Sequence, residues 1–372
     1  MTFETPPLST LQRTLSDPAA PIGMRMRATY FLRQIYDDAQ RNESPALPSS
    51  SSDEAATAIE TLCANLQNPA HGALLRHEFA YVLGQLRDVR ALPALEKTLL
   101  SEQDDIMIRH ECAEALGAIG SATSVPVLQR CARDTSVEVG QTCRLALYFI
   151  QWKDGGGEEG DVDAPAVCAC MLSPYSSHDP APPHPAHVNL SAIQIGEILR
   201  DVDAPLFQRF RAMFSLRNRG GEDAVHQLGK ALISDTSSAL LRHEVAYVLG
   251  QMQHPSSVEY LSTSLKRTGE HKMVRHESAE ALGAIEERWG ECEEILRQFL
   301  EDDDVVVRES CMVALDAADY FGYVKEEGGD EVVDDRTRGV AMNFSLHKAE
   351  TNGRVVGQDN CGVLHNHFNI VA

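Results

Sequence analysis

The stretch Leu74–Leu86, LLRHEFAYVLGQL, decides how this chain is read, because it returns almost unchanged as LLRHEVAYVLGQM at Leu240–Met252. A second pair behaves the same way: IRHECAEALGAI at Ile108–Ile119 returns as VRHESAEALGAI at Val274–Ile285. Both pairs share one offset, since His77 to His243 and His110 to His276 are each 166 residues. Within each half the two copies are 33 residues apart, from 77 to 110 and from 243 to 276. That spacing is the length of a helix–turn–helix repeat.

Weaker copies flank these. Met26–Leu32 and Phe210–Leu216 precede them, with Ala28-Thr29 and Ala212-Met213 taken as standing where the strong copies have His-Glu. Gly140–Cys143 and Arg308–Cys311 follow. Eight repeats result, four per half. Inside a repeat, Ile108, Cys112, Ala115, Leu116 and Ile119 recur at three- and four-residue steps, the pattern of a helix packed on one face. The expected fold is all-α, a HEAT-like helical-repeat solenoid made of two pseudo-symmetric halves of four helix pairs. Gly84, Gly117, Gly250 and Gly283 fall at one register position, where a missing side chain lets helices approach closely.

The first half is read as residues 1–152, with a Ser- and Pro-rich surface insertion at about 42–55. Residues 153–187, rich in Gly, Pro, Asp and Glu, are read as a flexible linker, 188–323 as the second half and 324–372 as an unstructured tail. Cys168 and Cys170, close to His178, His184 and His187, lack the paired spacing of structural zinc. The nine cysteines are scattered and mostly set in apolar patterns, which suits buried thiols in a reducing compartment.

A formal charge of -22 argues against a protein that holds nucleic-acid phosphates and favours a basic partner. No run of 18 apolar residues and no signal-peptide pattern occurs, so no membrane role is expected.

The triplet Arg-His-Glu stands at 76–78, 109–111, 242–244 and 275–277, and these four include every His-Glu pair in the chain. The flanking repeats lack it, so the fold does not require it. If the halves pack about a pseudo-twofold axis, four His and four Glu converge in one cleft, an arrangement too costly to bury without a bound cation. Imidazole and carboxylate together suit Fe(II) with open positions for oxygen, and eight such groups suit two metals. A zinc protease needs a second His four residues on, which is absent, and so are the Glu-x-x-His pairs of four-helix di-iron proteins. The four preceding Arg residues are assigned to helix packing, because Arg27, Arg211 and Arg308 occur in repeats without the motif.

Eight such repeats with four His-Glu motifs on the inner ones resemble the deoxyhypusine hydroxylase family over most of residues 8–323. The resemblance implies a non-haem di-iron monooxygenase acting on the deoxyhypusine side chain of a eukaryotic translation factor. It implies two iron ions per chain, Fe(II) when reduced, with O2 as co-substrate and an unidentified electron donor. His77, His110 and Glu111 would ligate one iron, and His243, His276 and Glu277 the other. Glu78 and Glu244 are the remaining motif carboxylates, expected at the metal centre, in catalysis and on the cationic substrate. Met273 would lie along the substrate path. The location implied is cytoplasmic, with the nucleus as a second compartment. The competing reading is a non-catalytic HEAT-repeat scaffold that binds a basic protein partner.

Overall fold

The computed structural model describes residues 5–42, 50–156 and 173–321. Sixteen α-helices among them follow one another in chain order as successive pairs, and no strand occurs among the described residues. In the first half these are α1 (Leu8–Ser16), α2 (Ile22–Asn42), α3 (Ser50–Leu66), α4 (Gly72–Leu86), α5 (Leu92–Leu99), α6 (Ile106–Ile119), α7 (Val125–Cys131) and α8 (Val137–Gln151). The second half holds α9 (Ala192–Arg200), α10 (Leu206–Arg219), α11 (Gly221–Ser234), α12 (Ala239–Met252), α13 (Val258–Lys266), α14 (Lys272–Gly283), α15 (Trp289–Arg297) and α16 (Val305–Phe321).

Short polar stretches punctuate the helices. Asp105 accepts a hydrogen bond from the Met107 amide at 3.0 Å and starts α6, and Ser238 does the same for Leu241 at 3.1 Å in α12. Proline in the first turn opens α5 and α7. Gly120, at φ 70°, closes α6 in the left-handed conformation that favours glycine.

The even-numbered helices form the inner layer. Consecutive members pack along each half, α4 on α6 on α8 and α12 on α14 on α16. Their closeness explains the recurring glycine. A Cβ on Gly84 would come within 2.8 Å of Ala115 Cα, one on Gly117 within 2.7 Å of Ala146 Cβ, and one on Gly283 within 2.7 Å of Ala314 Cβ.

The array also closes on itself. Helix α16 packs against α2, where Arg27 pairs with Asp316 and lies 4.7 Å from the Tyr320 ring centre. At the opposite junction α8 meets α10 and α12, with Ser238 Oγ donating to Gln141 Oε1 at 2.8 Å. The inner helices of both halves therefore enclose one central space.

Three of the motif arginines and Arg209 share one contact pattern directed away from that space, while the fourth, Arg242, pairs with Glu270. Nε of Arg76, Arg109, Arg209 and Arg275 each donates to a carbonyl ten residues back, on Leu66, Leu99, Leu199 and Leu265. Their guanidinium groups pair with Asp104, Asp134, Asp235 and Asp302. The carbonyl bond ties each inner helix to the preceding outer one and the Asp pair ties it to the turn after the following outer one, and losing one charged partner strands a buried charge at a cost of about 3–5 kcal/mol.

This contact corrects the register read for the repeats before the strong copies. Arg209, 33 residues before Arg242, occupies the motif-arginine place, so Phe210-Arg211 stands at the His-Glu position and not Ala212-Met213. By the same 184-residue offset, Met26-Arg27 replaces Ala28-Thr29. The flanking repeats still carry no His-Glu.

Of the presumed insertion, residues 50–55 form the start of α3, and 43–49 lie outside the described residues. So do residues 157–172, with Cys168 and Cys170, and the tail from 322, with the whole of 324–372. Of the segment read as flexible linker, residues 173–187 are docked along α10. The guanidinium of Arg217 holds Asp179 (Nη2–Oδ2 2.5 Å) and Ser173 Oγ (2.9 Å), Arg211 donates to the Pro182 and Pro183 carbonyls, and His187 Nδ1 lies 2.8 Å from Ser215 Oγ. Polar backbone and side-chain contacts hold this strap without any apolar periodicity.

Candidate metal centre

Helices α4, α6, α12 and α14 each present a His-Glu pair to the central space. The ring centres of His77 and His110 are 5.5 Å apart, those of His110 and His243 5.3 Å, of His243 and His276 5.4 Å, and of His276 and His77 5.3 Å. The diagonal from His77 to His243 is 6.0 Å. The four imidazoles thus form a square drawn in along its His77–His243 diagonal, with edges of nearly equal length and opposite corners related by the 166-residue repeat. All four are at least nine-tenths buried.

Buried imidazole nitrogens normally find hydrogen-bond partners. Here both ring nitrogens of His77 and of His110, and Nε2 of His276, have none. His243 is oriented differently: its Nδ1 donates to the Met273 carbonyl at 3.1 Å, which leaves Nε2 as a lone-pair donor. His276 Nδ1 lies 3.5 Å from Glu280 Oε1, at the outer limit of such a contact.

The four motif glutamates surround this square. Glu111 Oε2 is 3.3 Å from His77 Nε2, Glu277 Oε2 is 3.8 Å from His243 Nδ1, and Glu244 Oε1 is 3.9 Å from His243 Nε2. Glu78 accepts a hydrogen bond from the Tyr30 hydroxyl of α2. Three sets bring candidate ligand atoms within 4.8 Å of one another: His77, His110 and His243; His243, His276 and Glu277; and His110, Glu111 and Glu114. Of the two sets expected from the sequence, His243, His276 and Glu277 are among these, whereas His77, His110 and Glu111 are divided between the other two. His77 joins the other half's histidine as well as its own, since the square brings all four together.

Met273 opens α14 beside the centre. Its side chain is fully buried in the apolar core at the start of α14 and does not line the central cavity, and its carbonyl is what reaches the centre, through His243.

Two further carboxylates and two phenols belong to the cavity. Glu114 and Glu280 stand four residues after His110 and His276, and Tyr81 and Tyr247 occupy the same place after His77 and His243. All four were already in the duplicated segments: residues four apart share a helix face, so the signal was the alternation of Tyr and Glu at that step. From the strap, His178, Asp179 and Pro180 complete the lining of a cavity enclosing about 450 Å³, mouth included.

The electrostatics show what this arrangement lacks. Burial lifts Glu111 to about 8, and lifts Glu78 to about 7 with help from the Glu280 charge. Glu280 is also pushed up to about 7, and burial and neighbouring acids hold Glu114, Glu244 and Glu277 well above the usual carboxylate range. Burial and then the neighbouring imidazoles hold His110 and His243 well below the usual imidazole range. Neutral imidazoles with unpartnered nitrogens beside carboxylates short of counter-charge make up a donor set for a hard or borderline divalent cation, and the residues present fit one.

A closed ring of helical repeats around a buried His-Glu cluster defines a class of protein: a metal-binding HEAT-repeat protein. Residues 59–148 match the HEAT repeats, and 274–302 the PBS lyase HEAT-like repeat. Deoxyhypusine hydroxylase of Mus musculus is 42% identical over 313 residues, 84% of this chain and 92% of the relative. That of Xenopus laevis is 43% identical, covering 86% and 92%. The solved structure of human deoxyhypusine hydroxylase in complex with glycerol superposes with a TM-score of 0.70 at 40% identity, over 84% of this chain and 96% of that one. The chain belongs to the deoxyhypusine hydroxylase family.

Proposed function

We propose that this member of the deoxyhypusine hydroxylase family hydroxylates the deoxyhypusine side chain of a translation factor, with two iron ions as cofactor and O2 as co-substrate. The observation that carries this reading is the square of four buried imidazoles, with the ring nitrogens of two of them making no hydrogen bond and carboxylates on every side. His77, His110 and Glu111 would hold one iron, and His243, His276 and Glu277 the other. Bound iron supplies the electrons that activate O2 for insertion of one oxygen atom into a C–H bond. The second atom leaves as water, so an external electron donor is required.

The protein's own part is positioning and charge. The Met273 carbonyl fixes the tautomer of His243 so that Nε2 faces the centre. Glu78 and Glu244, neither in the three-residue sets above that share a His243 or His110 ligand, remain for the cationic substrate chain. A substrate chain filling the cavity would displace water from around the reacting carbon and so strengthen each of these contacts. No family relative supports the scaffold alternative. Free buried thiols at Cys112, Cys143, Cys292 and Cys311 suit the reducing conditions of the cytoplasm and nucleus, where we place the protein.

The test is hydroxylation of a deoxyhypusine-bearing protein by the purified, iron-loaded chain. Product that depends on both iron and O2 supports the reading. Absence of product from a metal-loaded protein would remove it.

A further inference from the structure

The two halves repeat each other so closely around the centre that the places where they differ carry information. Glu78 is tied by the Tyr30 hydroxyl. The residue corresponding to Tyr30, 184 positions later in α10, is Phe214, fully buried and without a hydroxyl to give Glu244. Glu280 accepts from Ser310 Oγ at 2.8 Å and is 4% exposed. At the place of Ser310 the first half has Thr142, whose hydroxyl turns back to the Glu138 carbonyl of its own helix at 2.9 Å. Glu114 is accordingly less deeply buried than Glu280.

The two carboxylates left without their counterparts' hydroxyl donors are Glu114 and Glu244, and they meet. They come from opposite halves, lie within hydrogen-bonding reach of each other and line the same cavity. Asp179 of the strap adds a third carboxylate nearby, already bound by Arg217. Two facing carboxylates in a buried site need a cation or a shared proton between them. His77, 5% exposed, presents unpartnered ring nitrogens to the same cavity. The cavity is thus polarised: one side has its acids capped by protein hydroxyls, the other has an uncapped pair.

We propose that Glu114 together with Glu244 is the subsite for the substrate's terminal ammonium group, with Glu78, held by Tyr30, beside the rest of the substrate chain and Glu280 on the protein-held side of the centre. This rests on the hydroxylase reading above and extends it to a residue outside the His-Glu motifs. An alkylammonium group donates one N–H to each carboxylate and replaces the donors that Phe214 and Thr142 do not provide. A pseudo-symmetric centre alone would accept an unsymmetrical substrate in either of two orientations, and the uncapped pair selects one of them.

The experiment compares Glu114→Gln, Glu280→Gln and Phe214→Tyr with the parent, as full-length iron-loaded proteins acting on a deoxyhypusine-bearing protein. Each is assayed for metal content, KM, kcat and inhibition by 1,4-diaminobutane. Glu114→Gln is expected to keep its metal and raise both KM and the diamine inhibition constant by about tenfold or more, the loss of a charged hydrogen bond. Glu280→Gln should leave both constants within about threefold of the parent and change kcat or metal content instead. Phe214→Tyr, which supplies Glu244 with the donor that Glu78 has, should raise KM even if Glu114→Gln does not fold. Loss of metal from Glu114→Gln at unchanged KM would make Glu114 a ligand and overturn the proposal. So would an equal rise in KM for Glu280→Gln, or unaltered KM in Phe214→Tyr. A parent protein that forms no product would instead refute the hydroxylase reading.

Discussion

The hydroxyl of Tyr81 lies 3.2 Å from that of Tyr247, the residue that repeats it 166 positions later. Each tyrosine follows its His-Glu motif by one helical turn, so the contact marks where the pseudo-twofold axis crosses the cavity. Tyr247 also accepts from Gln251 Nε2 at 2.8 Å, and Gln251 in turn accepts from Arg217. The two halves and the docked strap are thereby joined by one polar chain that runs past the metal centre.

Breaking that chain should loosen the junction. Tyr247→Phe removes two hydrogen bonds worth about 1 kcal/mol each, and thermal unfolding is expected to fall by a few degrees. An unchanged melting temperature would show that the contact contributes nothing to holding the halves together.

Arg217 has a larger role. Its side chain is fully buried and pairs with Asp179. Arg217→Ala strands Asp179 and should cost about 3–5 kcal/mol, with faster proteolytic cleavage within 173–187. Cleavage at the parental rate would mean the strap is held by other contacts.

Met273 separates the structural account from the resemblance. Because only its carbonyl reaches the centre, Met273→Leu keeps that contact and the core volume, and KM for the protein substrate is expected to stay within about twofold of the parent. A large rise in KM would return the side chain to the substrate path.

The buried carboxyls set a pH dependence. Raised to about 7 for Glu78 and Glu280 and about 8 for Glu111, they retain protons in the folded metal-free chain that the unfolded chain has lost. Their cost to stability therefore grows as pH rises toward 8. The lowered imidazoles act in the opposite direction, but only below their ordinary value of 6.5. Between about 6.5 and 8 the metal-free protein should lose a few degrees of melting temperature as pH rises, and Fe(II) under anaerobic conditions should restore them. A metal-free melting temperature that climbs over this interval would contradict the assignment.

Much of this was legible in the sequence because duplication wrote it twice. The 33- and 166-residue spacings carry the helix pairs, and the confinement of His-Glu to four repeats carries the ligands. Glu114, Glu280, Tyr81 and Tyr247 sat in the same quoted segments and show themselves only when the motif is read as a helix face, one turn further on. The two-residue slip at Phe210-Arg211 arose because apolar positions repeat every three to four residues, so neighbouring registers look alike until the Arg209 contact to Leu199 separates them. The docking of 173–187 left no pattern to find, since backbone carbonyls of Pro182 and Pro183 make much of it and every residue type has one.

The central claim is that the square of imidazoles holds metal for oxygen chemistry. The most direct test is metal analysis and visible absorption of the iron-reconstituted parent beside His110→Ala, followed by the hydroxylation assay. About two irons per chain, an oxygen-dependent visible band and iron-dependent product are expected for the parent, with loss of metal and at least a 100-fold fall in activity in the variant. A parent that binds no iron after reconstitution, or a variant with full metal and full activity, would contradict the account.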